Sequence, residues 1–356
     1  MISSPPDHRY VFLDGLRGIA ALSVVIFHLT QHSGHGTSPA SAAIAVDLFF
    51  CLSGFVIAYS YHEKLIGGMS KVLYVKKRLA RLYPMYLIGL VLGVSALSLK
   101  KIHGLADYTW ESIATASVLN LFYLPYFNTH RVRVFLDDIH GAVFPINDPS
   151  WSLFFELVVN FLYALTIGFS RAVPLAWLVV SGVGLFFAAV LYGETPGWGT
   201  ANFIGGFPRA FFLFFAGVVI FQLPEKTRLI PAIKPAYLVA LVILLLAMPP
   251  FEALRFYWLG AVIALVPLIV AAGSRCSIEK HNFWHKTCAY FGRLSYPVYC
   301  VHFPLLLYIS TIFRDANNFA LIILASFAIT LFLTHIVMKH VEEPFRSRFT
   351  AWLVKT

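Results

Sequence analysis

The sequence predicts an all-α polytopic integral membrane protein of about ten transmembrane helices with both termini cytoplasmic, and three observations carry that expectation. Hydrophobic side chains make up 59% of the chain and charged ones 12%, about half the roughly 25% charged content of soluble domains. Apolar stretches near the ~20 residues that a membrane span requires recur along the chain. The basic residues fall mostly in short segments between those stretches, where orientation signals act. An aromatic fraction of 16% suits a surface in lipid with helix ends at the bilayer interface.

Ten stretches qualify as spans: 11–31, 42–61, 82–99, 151–169, 172–192, 204–223, 235–250, 256–273, 289–313 and 317–339. An eleventh, 113–127, is short, interrupted by Thr115, Ser117 and Asn120, and ends at Pro125. The excess of Lys and Arg in cytoplasmic loops arbitrates. Without a crossing at 113–127, sixteen loop Lys and Arg residues, Lys64 through Lys355, fall on one side and six, Lys100 through Arg314, on the other. With the crossing, the basic 226–234 and 275–286 loops would move outside. The expectation is therefore one membrane-embedded domain over 1–356 in the cytoplasmic membrane. Residues 100–150 form a long extracytoplasmic loop with an interfacial or re-entrant helix, tolerated where protein covers it. No soluble second domain and no internal repeat is expected. Met1–Arg9 shows no separate cleavable signal, so the first apolar segment is expected to remain as a helix. Cys51, Cys276, Cys288 and Cys300 form no CxxC or metal-ligand spacing, so neither a disulfide framework nor a metal site is expected. The net charge of +10 is read as orientation signal and lipid contact, with no nucleic-acid partner.

Ionisable groups inside spans are costly and need a partner, a wet cavity or a task. Arg17 and His28, eleven residues apart in the first span, share one helix face about 16 Å apart along the axis. Asp47 enters the second span, Glu156 the fourth and His302 the ninth. Counting about 1.5 Å per residue from the helix ends brings His28, Asp47, Glu156 and His302 to a similar depth. A histidine held by a carboxylate draws a proton from a hydroxyl, which makes His28 the candidate base and Asp47 or Glu156 its partner. The plainer reading is that each is a satisfied polar residue of helix packing.

A second constellation is basic: Lys76, Lys77, Arg78 and Arg81 in YVKKRLARLYP, with Arg293 in FGRLSYP. Arg78 and Arg81 are three apart, on one side of a helix, and guanidinium groups chelate phosphates in bidentate fashion. That suits the phosphates of coenzyme A, although such clusters also anchor spans or bind anionic headgroups. Ser53-Gly54 and Trp151-Ser152 are small or interfacial residues that first suggest close helix packing and a helix start. No GxSxG elbow marks a serine nucleophile.

These residues resemble the acyltransferase 3 family of membrane-bound O-acyltransferases. The resemblance runs through LDGLRGIAALSVVIFH, VDLFFCLSGFVI, KKRLARLYP, PSWSLFFE, FGRLSYPVYCVHFPL and VEEPFRSRF, in the family's order over residues 12 to 349. It implies about ten membrane helices, an acyl-CoA donor such as acetyl-CoA as co-substrate with no bound cofactor, and a cell-surface or exported glycan as carbohydrate acceptor. It also implies a functional pair of His28 and Arg17, with Arg78 and Arg81 as the arginine motif and Glu156 as the acid after SWSL. Some members carry an extra extracytoplasmic hydrolase-like domain, and none is expected here. Direct transfer, transfer through an acyl-enzyme, and hand-over to glycan-assembly proteins all stay open. In the expected mechanism His28, oriented by Asp47 or Glu156, is the base. Arg17, Arg78, Arg81, Arg293, His302, Trp151 and Ser152 bind substrate. The rival from another class is a proton-coupled transporter of an anionic metabolite or glycan intermediate, against which stands the lack of an inverted repeat.

Overall fold

A computed structural model describes residues 10–31, 40–170, 172–223, 233–248, 254–280, 282–313 and 318–355. The Met1–Arg9 segment and four residues of the charge count, Arg171, Lys226, Arg228 and Arg314, lie outside the described residues. Each of the ten apolar stretches falls on a helix: α1 Val11–Gln31, α2 Ile44–Ile66, α3 Lys71–Ile102, α5 Ser150–Thr166, α6 Val173–Tyr192, α7 Gly206–Gln222, α8 Pro235–Leu246, α9, α10 Phe283–Ile312 and α11 Phe319–Val337. Helix α9 runs from Leu254–Gly260 through a π turn at Ala261–Leu265 into Val266–Gly273. A second π turn, Met338–Glu342, leads from α11 into α12, Glu343–Lys355.

Among the described residues seven helices are long and apolar enough to cross a membrane, and Ser150–Thr166 and Pro235–Leu246 are apolar but shorter. At 1.5 Å per residue, the 17 residues of α5 reach about 25 Å and the 12 of α8 about 18 Å, against a hydrocarbon core of about 30 Å. Helix α10 is long enough but carries Lys286 and Arg293. It packs chiefly against α1, α3 and α11, and a helix enclosed by other helices needs no uninterrupted lipid-facing run.

Glycine sets the closest helix contact. A Cβ at Gly54 of α2 would collide with the backbone carbonyl of Phe214 in α7, and one at Gly217 would meet the carbonyl of Cys51. The two helices thus touch backbone to backbone, the packing that small residues permit in membranes. This is the close-packing role the sequence suggested for Ser53-Gly54, and of the two it falls to Gly54; Ser53 donates to Glu156 instead.

The 100–150 region departs from the expectation in two ways. The weak stretch becomes α4, Trp110–Leu121, about 18 Å long; α8 is as short, but α8 is apolar, whereas α4 carries Glu111, Thr115, Ser117 and Asn120. A β-hairpin, β1 Arg131–Val134 and β2 Asp137–His140, follows it with Arg131 opposite His140 and Val134 opposite Asp137. Among the described residues the fold is therefore helical with one antiparallel hairpin. The element that enters the bundle is not α4 but an irregular segment, 141–149, in which every residue is buried. Its polar backbone is satisfied piecemeal, Val143 N donating to Trp198 O and Ala142 O accepting from Asn128 Nδ2, and its Asn147 side chain donates to Cys300 O at 2.7 Å. Apolar α4 positions gave the stronger helical signal, whereas a non-periodic buried stretch such as AVFPINDP carries none.

Candidate functional site

Among the described residues, two cavities of the bundle share Val46 and Tyr299 in their linings. The first, of about 100 Å³, is lined by Arg17, Arg78, Arg81, Glu156 and three serines, Ser53, Ser152 and Ser295. The second, of about 360 Å³, is lined by His28, Gln31, Asp148, Trp151, Trp198 and Arg209, with Asp137, Asp138 and His140 of the hairpin. The four groups expected at one level are thereby divided. Glu156 lines the arginine cavity and His28 the histidine cavity.

The continuity of α3 from Lys71 to Ile102 sets Arg78 and Arg81 on the wall of the arginine cavity. Arg78 is 7% exposed and donates from one terminal nitrogen to Glu156 Oε1 at 2.9 Å, the oxygen that also accepts from Ser53 at 2.9 Å. Its buried Nε has no partner among the described residues, which leaves a donor available in the cavity wall. Behind Glu156, Asn160 donates to the Glu156 carbonyl at 2.7 Å and accepts from Tyr74 at 2.8 Å. Arg17 donates to Ser295 Oγ at 3.0 Å and to Gly292 O at 2.7 Å, and pairs with Asp14 at 3.1 Å. Arg293 is exposed and lines neither cavity.

Asp47 is wholly buried and held by Arg209, whose Nε donates to Oδ1 at 2.6 Å and whose terminal nitrogen donates to Oδ2 at 3.0 Å. Trp258 Nε1 donates to the same Oδ2 at 3.0 Å. The guanidinium lies over the rings of Trp151 and Trp258, 5.3 and 5.7 Å from their centroids. Such a bidentate, aromatic-clamped pair is a structural clasp between α2, α7 and α9. Arg209 escaped the sequence reading, although an arginine within an apolar span is a signal in its own right.

His28 stands beside His302, ring centroids 5.3 Å apart. His302 is buried, and its Nδ1 lies 3.0 Å from Val298 O and 2.9 Å from Tyr299 O. Both are acceptors, so Nδ1 carries the hydrogen and Nε2 presents a lone pair; Nε2 has no partner among the described residues. Ser152 donates to Pro149 O at 3.0 Å and shares a 2.7 Å bond with the Tyr299 hydroxyl, fixing the ring between the cavities. Asp148, which the sequence reading also missed, lines the histidine cavity. Burial pushes its carboxyl up to about 7. Among the described residues no three His, Cys, Asp or Glu side chains gather as a metal site.

The family model for an acyltransferase domain matches residues 10–339. "Protein 2 in picA locus" of Rhizobium radiobacter is 42% identical over 176 residues, 46% of this chain and 85% of that protein. Acyltransferase MdmB of Streptomyces mycarofaciens is 28% identical over 187 residues, 49% of this chain and 44% of its own. Peptidoglycan O-acetyltransferase OatA of Listeria monocytogenes is 25% identical over 367 residues, 96% of this chain and 56% of its own. The chain thus spans about half the length of the last two. No solved structure matches.

Proposed function

The chain belongs to this acyltransferase domain family, and from that premise we propose that it is a membrane-bound O-acyltransferase moving an acyl group, acetyl in the simplest case, from acyl-CoA to a hydroxyl of a cell-surface or exported glycan or its precursor. The observation that carries the reading is the pair of cavities back to back, one presenting arginines and the other His28, with Val46 and Tyr299 between them. Arg17, Arg78 and Arg81 offer charge-assisted donors to the phosphates of coenzyme A, and the pantetheine arm passes the Tyr299 wall to bring the thioester to His28. His28 takes the hydroxyl proton as the oxygen attacks the thioester carbonyl. The C–S bond then breaks, the imidazolium returns its proton to the thiolate, and ester and coenzyme A thiol leave. Asp47 and Glu156 act indirectly in this scheme: Asp47 is saturated by Arg209 and Trp258, and Glu156 orients Arg78. The name of OatA supports a wall glycan as acceptor.

In the same reading the ten helical stretches cross the cytoplasmic membrane with both ends inside, so that the arginine cavity faces the cytoplasm and the histidine cavity the exterior. Glycan-assembly proteins are the natural partners of such an enzyme. The test is purified protein given labelled acetyl-CoA and peptidoglycan fragments. Thioester loss with label in the sugar is expected. Proton-coupled uptake of a metabolite without thioester loss would instead make the protein a carrier.

A further inference from the structure

We propose that Asp148 is an acceptor-binding group, holding an uncharged sugar hydroxyl across the histidine cavity from His28. The inference rests on the acyl-transfer reading and goes beyond it in naming the group that meets the acceptor. Asp148 belongs to the buried segment 141–149, and the chain on either side of it is pinned. On one side the Ile146 carbonyl sits against Gly93 of α3, where any Cβ would collide with it, and Asn147 donates to Cys300 O at 2.7 Å. On the other, Pro149 O accepts from both Ser152 and Tyr299 at 3.0 Å. A pinned backbone fixes where the intervening side chain points, and this one lines the cavity of His28.

The carboxyl group is 7% exposed, and its Oδ1 has no hydrogen-bond partner among the described residues. A buried polar atom left unmade costs roughly 1–3 kcal/mol, a cost that proteins retain mainly where a ligand or water completes the bond. Among the described residues Arg209 is the one arginine lining the cavity, and it is already engaged by Asp47. The other charged or titratable groups facing Asp148 are His28 of α1, Asp137, Asp138 and His140 of the hairpin, Tyr299 of α10 and Tyr108. Asp138 is paired with Arg131 and Arg133 and Arg209 with Asp47, so no unengaged arginine or lysine among the described lining residues favours an anionic ligand at this position. A neutral carboxyl offers one donor and an acceptor, which complements a hydroxyl, and the half-buried Trp198 in the same wall gives an apolar face for a sugar ring. Burial, which moves the carboxyl to about 7, keeps that neutral form populated below neutrality.

The test uses the full chain in lipid nanodiscs with labelled acetyl-CoA as donor and muramidase-released peptidoglycan disaccharide as acceptor, from pH 5.5 to 9. Asp148→Ala is expected to raise the acceptor KM at least tenfold while the acetyl-CoA KM stays put. Wild-type acceptor KM should rise above pH 7 as the neutral form is lost. Asp148→Asn, neutral at every pH, should keep the low acceptor KM and lose that rise. An Asn variant as impaired as the Ala variant, a shift in donor KM, or an unmoved acceptor KM in both variants overturns the proposal. Dicyclohexylcarbodiimide, which modifies neutral carboxyls in apolar surroundings, reads Asp148 independently of turnover. Adduct at Asp148 should form at pH 6, fade by pH 9, and slow in the presence of the disaccharide. Labelling that the sugar leaves unchanged counts against Asp148, whereas absence of acetyl transfer by the wild type counts against the acyl-transfer reading.

Discussion

At the scale of single residues the two cavities make different demands. A general base contributes about 10²- to 10⁴-fold, so His28→Ala should lose that much turnover with acetyl-CoA binding largely retained, and His28→Gln should be nearly as poor because an amide takes up no proton. Arg78→Gln should weaken acetyl-CoA binding by about 1.5–3 kcal/mol, the worth of a hydrogen bond to a charged group, and lessen its salt dependence. The exposed Arg293→Gln should do neither, and equal losses in the two variants would reduce Arg78 to a membrane anchor. Asp47→Asn should cost about 3–5 kcal/mol of stability by stranding buried Arg209, read as the melting temperature of the purified protein. Asp47→Leu with Arg209→Met should restore stability and much of the activity, whereas a stable but inactive double variant would return Asp47 to the chemistry. Most charged residues within spans were legible in the sequence because charge there is rare, Arg209 being the exception. Their pairing was not: helical counting gives depth, and Asp47, Glu156 and His28 at similar counted depth turn to different neighbours.

At the scale of elements, the ten helices were readable from hydropathy, and their closest contact from small residues. Gly54→Val should separate α2 from α7, since the new side chain meets backbone that cannot yield, and the variant should be recovered in low yield or melt at a markedly lower temperature. Val56→Ala, two residues along the same helix, is the control expected to behave as wild type. The buried segment after the hairpin was illegible for a physical reason. Its hydrogen bonds run to distant partners such as Trp198 and Cys300 rather than along a local period, and no window of sequence contains both ends of those bonds.

At the scale of the whole molecule the sixteen-to-six charge count yields a topology that impermeant thiol reagents can check in a variant without native cysteines. Glu111→Cys and Glu194→Cys should label from outside, and Ser70→Cys and Lys280→Cys only after permeabilisation. Labelling of Glu111→Cys from the cytoplasm alone would reverse the loop assignment and the sidedness of both cavities. If the sidedness holds, the wall at Val46 and Tyr299 has a consequence apart from catalysis. Polar chambers that approach each other from opposite faces leave only a thin septum to stand off the whole membrane voltage, and each elementary charge crossing it is worth about 2.3 kcal/mol per 100 mV. Tyr299, tethered by Ser152 and Pro149, is then the electrical insulator of the bundle. Liposomes carrying Tyr299→Gly should lose an imposed proton gradient that wild-type liposomes keep, even when no donor or acceptor is present.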